Sequence, residues 1–135
     1  MRLLIALAPL ALVAACAAPV VVTAPAADGT AIPTAAATVD MTAGLQFSPN
    51  AVTINAGESV SFRNISTFTH TVSTTADTTV ESQAVMLPAG AAPFDSGAIG
   101  PNEVFTHTFT VPGTYRYFCE PHVGQGMIGT VIVNP

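Results

Sequence analysis

Three residues whose side chains bind soft metals lie close together near the end of the chain, in the segment YRYFCEPHVGQGMIG at residues 115–129. Cys119 is followed by His122 and then by Met127, with the spacing C-x₂-H-x₄-M. A thiolate, an imidazole and a thioether together favour copper over magnesium, calcium or manganese. A single loop that supplies all three groups therefore predicts a copper site.

A trigonal copper site needs one more nitrogen ligand, and the chain has two other histidines, His70 and His107. His107 lies in the middle of EVFTHTFTV, a predicted strand, so we expect it to have a structural role or to be partly exposed. His70 lies in NISTFTHTVST, where a loop leads from one predicted strand into the next. Because His70 is far from Cys119 in the sequence, only the fold could bring the two side chains together.

Two alternatives to copper fit the same residues. Zinc also binds cysteine and histidine, but a structural zinc site needs four strong ligands, and the thioether of Met127 would be a poor fourth. A cysteine–histidine hydrolase needs a base aligned with its thiol. The short spacing between Cys119 and His122 suits a shared metal better than such a pair.

The elements that must hold these residues are predicted to be strands. The chain from residue 39 to residue 135 consists of short runs rich in Val, Thr, Ile, Phe and Tyr, separated by Pro, Gly, Asn and Asp. AVTINAGESVSFRNI alternates on both sides of the turn NAG, and THTVST, EVFTHTFTV, TYRYFC and GTVIV indicate further strands. VESQAVM, at residues 80–86, is the one candidate for a short helix. The pattern predicts a single all-β domain, a β-sandwich, over residues 39–135.

The first 38 residues differ from this domain in composition. Residues 1–15 contain one basic residue, Arg2, and then an apolar run too short to span a bilayer, which is typical of an export signal peptide. The run ends in VAAC, which resembles the lipobox of bacterial lipoproteins. This resemblance implies cleavage before Cys16 and lipid attachment to its sulfur. An ordinary signal peptide that is cut at a nearby alanine is the alternative.

Residues 16–38 consist mostly of Ala, Pro, Thr and Val without strand or helix periodicity, and this composition predicts an extended tether. We therefore expect a periplasmic or otherwise extracytoplasmic protein, held at a membrane as a lipoprotein by a lipid on Cys16. If Cys16 carries a lipid, Cys119 is the one remaining thiol of the chain and has no internal disulfide partner. A metal bound to the Cys119 sulfur would then protect a thiol that is otherwise open to oxidation.

The charge of the chain argues against one class of partner. The chain has three basic residues, all of them arginine, and eight acidic residues, with a formal net charge of −5 at neutral pH. An acidic protein repels phosphate backbones, so we expect no nucleic-acid binding.

Taken together, FTHTVST at residues 68–74 and FDSGAIGPNEVFTHTFTVPGTYRYFCEPHVGQGMIGTVIV at residues 94–133 resemble the plastocyanin-like cupredoxins, which are small blue (type 1) copper proteins. The resemblance extends over residues 45–133 and implies a Greek-key β-sandwich that holds one copper ion per chain at one end. It also implies a monomeric electron carrier, not an enzyme, that exchanges single electrons with transient redox protein partners. The copper ligands that the resemblance implies are His70, Cys119, His122 and Met127.

Three positions depart from plant-type plastocyanins. In that group Asn commonly follows the first histidine and Ser or Thr follows the cysteine, and these residues tie the ligand loops together. Here the two positions are Thr71 and Glu120. The residue before the cysteine is Phe118, where that group often has a tyrosine linked to a remote docking route. The resemblance therefore does not imply a photosynthetic partner.

Copper storage or delivery in the cell envelope is the alternative function. Proteins that hand over copper usually expose Met-rich or Cys-rich tracts, and this sequence has neither. Oxidase or nitrite reductase chemistry needs further histidine clusters, and His107 is the one histidine left over. The sequence therefore favours the electron carrier over both alternatives.

Overall fold

Seven strands form two sheets that face each other. The computed structural model describes residues 34–135. In chain order the strands are Ala37–Met41 (β1), Phe47–Ser48 (β2), Ala51–Asn55 (β3), Ser59–Asn64 (β4), Val104–Thr108 (β5), Gly113–Phe118 (β6) and Ile128–Asn134 (β7). One sheet has the strand order β2-β1-β4-β5 and the other has the order β3-β7-β6. A short helix, Thr79–Ala84 (α1), and a 3₁₀ helix, Glu120–Gln125, complete the domain.

The facing surfaces of the two sheets form the core. β4 buries Val60 and Phe62, and β7 buries Val131 and Val133 on either side of the exposed Ile132. β1 runs parallel to β4, and β3 runs parallel to β7, so the chain crosses between the sheets before these strands pair. Because successive side chains of a strand point to opposite faces, apolar residues at every second position give these strands one buried face. The predicted all-β, Greek-key sandwich of one domain is confirmed.

The predicted strand at residues 69–74, THTVST, is wrong. The segment forms only isolated bridges, such as the one between His70 and Ile99. Every residue from His70 to Thr74 is buried, so the segment lies inside the domain and lacks the exposed face on which the alternating pattern depends. Side-chain hydroxyls take part in its hydrogen bonding: the Thr74 hydroxyl accepts from the Phe94 N–H at 2.8 Å.

The predicted short helix is confirmed as α1, one residue earlier at its start and two residues shorter at its end than residues 80–86. Thr78 and Glu81 form a capping box: the Thr78 hydroxyl accepts from the Glu81 N–H, and the Glu81 carboxylate accepts from the Thr78 N–H. These contacts satisfy backbone donors at the start of a helix that is too short to form alone. The helices of residues 34–135 fall short of the length and apolar character that a membrane span requires.

The first strand starts two residues before residue 39, where the sequence predicts the domain to begin. β1 begins at Ala37, and both Ala37 and Thr38 pair with β4, opposite Val60 and Ser61. These two positions, predicted as the end of the tether, therefore belong to the first sheet. The predicted signal peptide, Cys16 and most of the tether lie outside the described residues, so those predictions stay predictions.

Tyr117 lies at the centre of the core, and its hydroxyl has an unusual environment. The ring packs edge-on against Phe47 at 4.8 Å and Phe62 at 5.2 Å between ring centroids, and the residue has no exposed surface. Within residues 34–135, no group lies within hydrogen-bonding distance of its hydroxyl oxygen. The hydroxyl covers Gly129, where the Cβ of any other residue would overlap it. The sandwich therefore contains one buried polar group that costs stability.

Tyr117→Phe is expected to raise the free energy of unfolding by about 1 kcal/mol, because it removes a buried donor that has no acceptor. The matched control is Tyr115→Phe, because the Tyr115 hydroxyl donates to the Val111 carbonyl at 2.8 Å. The control should lower the free energy of unfolding by about 1 kcal/mol. Urea denaturation of the three proteins measures both changes. Equal destabilisation by both substitutions would mean that the Tyr117 hydroxyl has a partner in solution.

Candidate metal centre

One end of the sandwich holds a loop that connects β6 to β7. Cys119 follows β6 directly, His122 lies in the 3₁₀ helix, and Met127 immediately precedes β7. The Cys119 N–H donates to the Met127 carbonyl at 3.1 Å, and the Met127 N–H donates to the His122 carbonyl at 3.2 Å. Gly126 reverses the chain between them with φ of 83°, a left-handed conformation that favours glycine. These contacts hold the three side chains on one short, closed loop.

His70 reaches the same place from the connection between β4 and α1. Both backbone polar groups of His70 are hydrogen-bonded to Ile99. The His70 N–H donates to the Ile99 carbonyl at 3.1 Å, and the Ile99 N–H donates to the His70 carbonyl at 2.8 Å. The His70 ring is completely buried, and its Nδ1 lies 3.6 Å from the Cys119 sulfur, although 49 residues separate the two in the chain. The fold thus brings His70 next to Cys119, as a copper site formed by both residues requires.

Three of the predicted ligands come together in space, the fourth lies buried on the same loop, and His107 lies elsewhere. Nδ1 of His122 lies 3.3 Å from the Cys119 sulfur, and the donor atoms of His70, Cys119 and His122 all lie within 4.8 Å of one another. Met127 is fully buried at the end of the same loop. His107 is elsewhere, in β5, where its ring stacks on Phe94 at 3.9 Å between centroids. Its expected structural, partly exposed position is confirmed.

The burial of the site is uneven. His70, Cys119 and Met127 have no exposed surface, whereas His122 is partly exposed. Burial raises the pKa of the Cys119 thiol above its ordinary value, and hydrogen bonds from Thr71 only partly oppose this. Burial lowers the pKa of His70, and the neighbouring His122 lowers it further, which leaves a neutral imidazole.

These properties fit a bound copper ion. A cation would stabilise the thiolate that burial disfavours, and neutral imidazoles offer nitrogen lone pairs to it. Two nitrogens, one thiolate and a thioether are the donors of a trigonal copper site with a weak axial methionine. The side chains of His70, Cys119, His122 and Met127 are therefore positioned to bind one copper ion.

Thr71 connects the two halves of the site. Its backbone N–H donates to the Cys119 sulfur at 3.3 Å, and its hydroxyl accepts from the Glu120 N–H at 2.8 Å. The loops are thus tied together at the same two positions that depart from plant-type plastocyanins, but through one hydroxyl and one backbone amide. Sequence analysis found the departure and missed this contact, because it could not show that the Thr71 hydroxyl faces Glu120.

Two buried residues before His70, Asn64 at the end of β4 and Ser66 in the turn that follows, support the site and were not predicted. The Ser66 hydroxyl lies 3.0 Å from Nε2 of His70, and the Asn64 side chain holds Ser66 in turn. The sequence signal was the polar pair within NIST, directly after a strand with an apolar inner face. Such residues are common in exposed turns, so the sequence alone gave no reason to place them inside the domain.

A β-sandwich with two imidazoles and a thiol at one end, and a thioether on the same loop, has the donor set of a small blue copper protein. The sequence model described as copper binding proteins of the plastocyanin/azurin family matches residues 33–134. The chain belongs to this family, and the resemblance to cupredoxins is confirmed.

Individual relatives agree with this assignment. The chain is 39% identical over 97 residues to a chloroplastic plastocyanin of Oryza sativa subsp. indica, with 67% of this chain and 56% of that protein covered. It is 42% identical over 106 residues to a chloroplastic plastocyanin of Physcomitrium patens, with 73% of this chain and 58% of that protein covered. The chain thus spans somewhat more than half the length of these relatives.

Solved structures show the same fold. The Cu(I) form of an amicyanin variant superposes with a TM-score of 0.59 at 25% sequence identity, covering 77% of this chain and 87% of that chain. A purple cupredoxin from Nitrosopumilus maritimus superposes with a TM-score of 0.55 at 19% identity, covering 73% of this chain and 99% of that chain. The second likeness shows the shared fold alone.

Proposed function

We propose that this chain is a one-electron carrier that works outside the cytoplasm, with His70, Cys119, His122 and Met127 as ligands of a single copper ion. The observation that carries the proposal is the close approach of His70, Cys119 and His122 at one end of the sandwich, with Met127 buried on the same loop and His122 partly exposed. Copper bound there supplies the change between Cu(II) and Cu(I).

The residues of the chain contribute a fixed and largely dry environment. Backbone hydrogen bonds among Cys119, His122 and Met127 close the loop, so the ligands would need to move little when the charge at the site changes. Small movement means a small reorganisation barrier. Full burial of three ligands also hinders the release of copper, which supports a carrier over a storage or delivery protein.

His122 is the proposed route for the electron. It is the exposed member of the ligand set, and its neighbours Pro121, Val123 and Gly124 are uncharged and at least partly exposed. A small uncharged surface around the ring edge suits a transient interface, from which a redox partner dissociates quickly. The partners would be redox proteins, and the chain would act as a monomer.

Acidic side chains beside the ligand loop would affect the encounter. Partial burial raises the pKa of Glu120, and the negative charges of Asp95 and Glu81 raise it further. These three acidic side chains would speed the approach of a positively charged partner at low salt, and the effect would fade as the ionic strength rises.

The first test is the colour of the copper-loaded protein. A thiolate of Cys119 bound to Cu(II) should give an intense visible charge-transfer band, and Cys119→Ser should abolish it, because the hydroxyl does not replace the thiolate. Copper titration followed by visible absorption measures the band, and circular dichroism verifies that the variant is folded. An equally blue Cys119→Ser protein would refute the site.

The second test addresses the electron route through the self-exchange of electrons between oxidised and reduced copies of the chain at high ionic strength. Val123→Asp should slow self-exchange about tenfold or more, because the contact of two His122 edges would then bury two carboxylates, and salt does not remove the cost of taking them out of water. Thr110→Asp adds the same charge at an exposed position at the other end of the sandwich and should leave the rate nearly unchanged. Equal rates in both variants would place the contact elsewhere.

The third test addresses the anchor, because we also propose that a lipid on Cys16 holds the protein at a membrane. Expressed in a bacterium, the full chain should partition with the membrane fraction, and Cys16→Ala should move it to the soluble fraction. Mass spectrometry should find the lipid on Cys16 as the mature N-terminus. An unmodified N-terminus downstream of Cys16 would contradict the anchor and would leave the copper site unaffected.

A further inference from the structure

A buried network of hydrogen bonds lies behind His70, on the side of the ring away from Cys119. Asn64, Ser66 and His70 are exposed by 0%, 6% and 0%. The Ser66 hydroxyl lies 3.0 Å from Nε2 of His70 and 2.8 Å from Oδ1 of Asn64. The Asn64 amide nitrogen donates to the carbonyls of Phe68 at 2.7 Å and Ile99 at 2.9 Å.

The orientation of the Asn64 amide is fixed by its partners. Both hydrogens of its nitrogen are used by the carbonyls of Phe68 and Ile99, and its oxygen accepts from the Ser66 N–H at 2.9 Å. Reversing the amide would place its NH₂ group against the Ser66 N–H and its oxygen against two carbonyls. The atom of Asn64 that faces the Ser66 hydroxyl is therefore an oxygen, which can only accept.

The position of the proton on His70 follows from this orientation. The Ser66 hydroxyl has one hydrogen, and it already accepts from the Phe68 N–H at 3.1 Å. Its possible acceptors besides His70 are Asn64 Oδ1 at 2.8 Å and the Phe68 carbonyl at 3.3 Å. The hydrogen must point to Asn64 Oδ1, because otherwise two oxygen lone pairs would face each other at 2.8 Å without a proton between them. The hydroxyl then has no hydrogen left for His70, so Nε2 of His70 must be the donor. Nδ1 is left with a free lone pair.

We infer that Ser66, oriented by Asn64, is a positioning residue that selects the His70 tautomer with its proton on Nε2 and its lone pair on Nδ1. Nδ1 is the atom that lies 3.6 Å from the Cys119 sulfur, within the ligand cluster. The inference deepens the proposed function, and it rests on that function only for its effect on copper. The tautomer itself is a property of the metal-free chain.

The network also affects the strength of His70 as a ligand. An acceptor on the Nε2–H makes the opposite nitrogen a stronger donor, as carboxylates and carbonyls do for metal-binding histidines. Cu(II) gains more from a stronger donor than Cu(I) does, because it carries the higher charge. Ser66 should therefore lower the reduction potential of the site.

The first experiment determines the tautomer of His70 in the unmodified, metal-free full chain at pH 8, from long-range ¹H–¹⁵N correlations of the imidazole. The expected result is a single tautomer with the proton on Nε2. A proton on Nδ1, or a mixture of both forms, would overturn the inference without the use of any variant. A protein that shows the expected tautomer but gives no blue copper complex would refute the proposed function instead.

The second experiment removes the hydroxyl. Ser66→Ala should produce a mixture of both tautomers in the metal-free chain. Its affinity for Cu(II) should fall about tenfold relative to its affinity for Cu(I), which corresponds to a reduction potential about 59 mV higher. The matched control is Thr67→Ala, which removes an exposed hydroxyl from the same turn and should change neither quantity.

Ser66→Thr keeps the hydroxyl and should restore both the single tautomer and the original potential. If Ser66 had only a structural role, Ser66→Ala would change the stability of the protein without changing the His70 tautomer. An unchanged tautomer together with an unchanged potential in a folded Ser66→Ala protein would overturn the inference, as would an equal effect of Thr67→Ala.

Discussion

The antiparallel pairing of β6 with β7 is the constraint on which the metal centre depends. The register places Phe118 opposite Ile128, so the ends of the ligand loop are fixed by the two strands that it connects. The Cys119 N–H continues this pairing by donating to the Met127 carbonyl. Because side chains alternate along a strand, a slip of one residue would exchange Cys119 for a neighbour on the opposite face. The register of one strand pair thus decides which side chains face the site.

The loop ligands were predictable from sequence because their positions depend on one short segment. Cys119, His122 and Met127 lie on a single loop, and the chemistry of that combination is specific. His70 was assigned through the family resemblance, since its place in the site depends on the packing of one sheet against the other. The contacts of the Thr71 and Ser66 hydroxyls could not be predicted, because a hydroxyl has many possible partners and only the fold selects one of them.

The strands, like the ligands, could be predicted where a local pattern decides the structure and not where distant contacts decide it. Strands with one buried face, such as β4 and β7, were predicted correctly because their alternating pattern reflects a local geometry. The segment from His70 to Thr74 has a similar composition, but it is buried throughout and pairs only through isolated bridges. Its hydroxyls satisfy part of its hydrogen bonding inside the domain, so a sequence that resembles a strand becomes a buried connection next to the ligands.

The direction of the strands separates the start of β1 and the end of β7 from the metal centre. β1 starts beside Val60 and runs parallel to β4 toward Asn64, at the end where the ligands lie. β7 starts beside Phe118 at the ligand end and finishes at Asn134, where the Asn134 carbonyl accepts from the Ala56 N–H. At about 3.3 Å per residue, the seven residues of β7 separate the two ends by about 20 Å. A segment that is joined covalently to either end of this domain is therefore joined at the end of the sandwich opposite the ligands, so an anchoring point and the ligand loop lie at opposite ends of the sandwich.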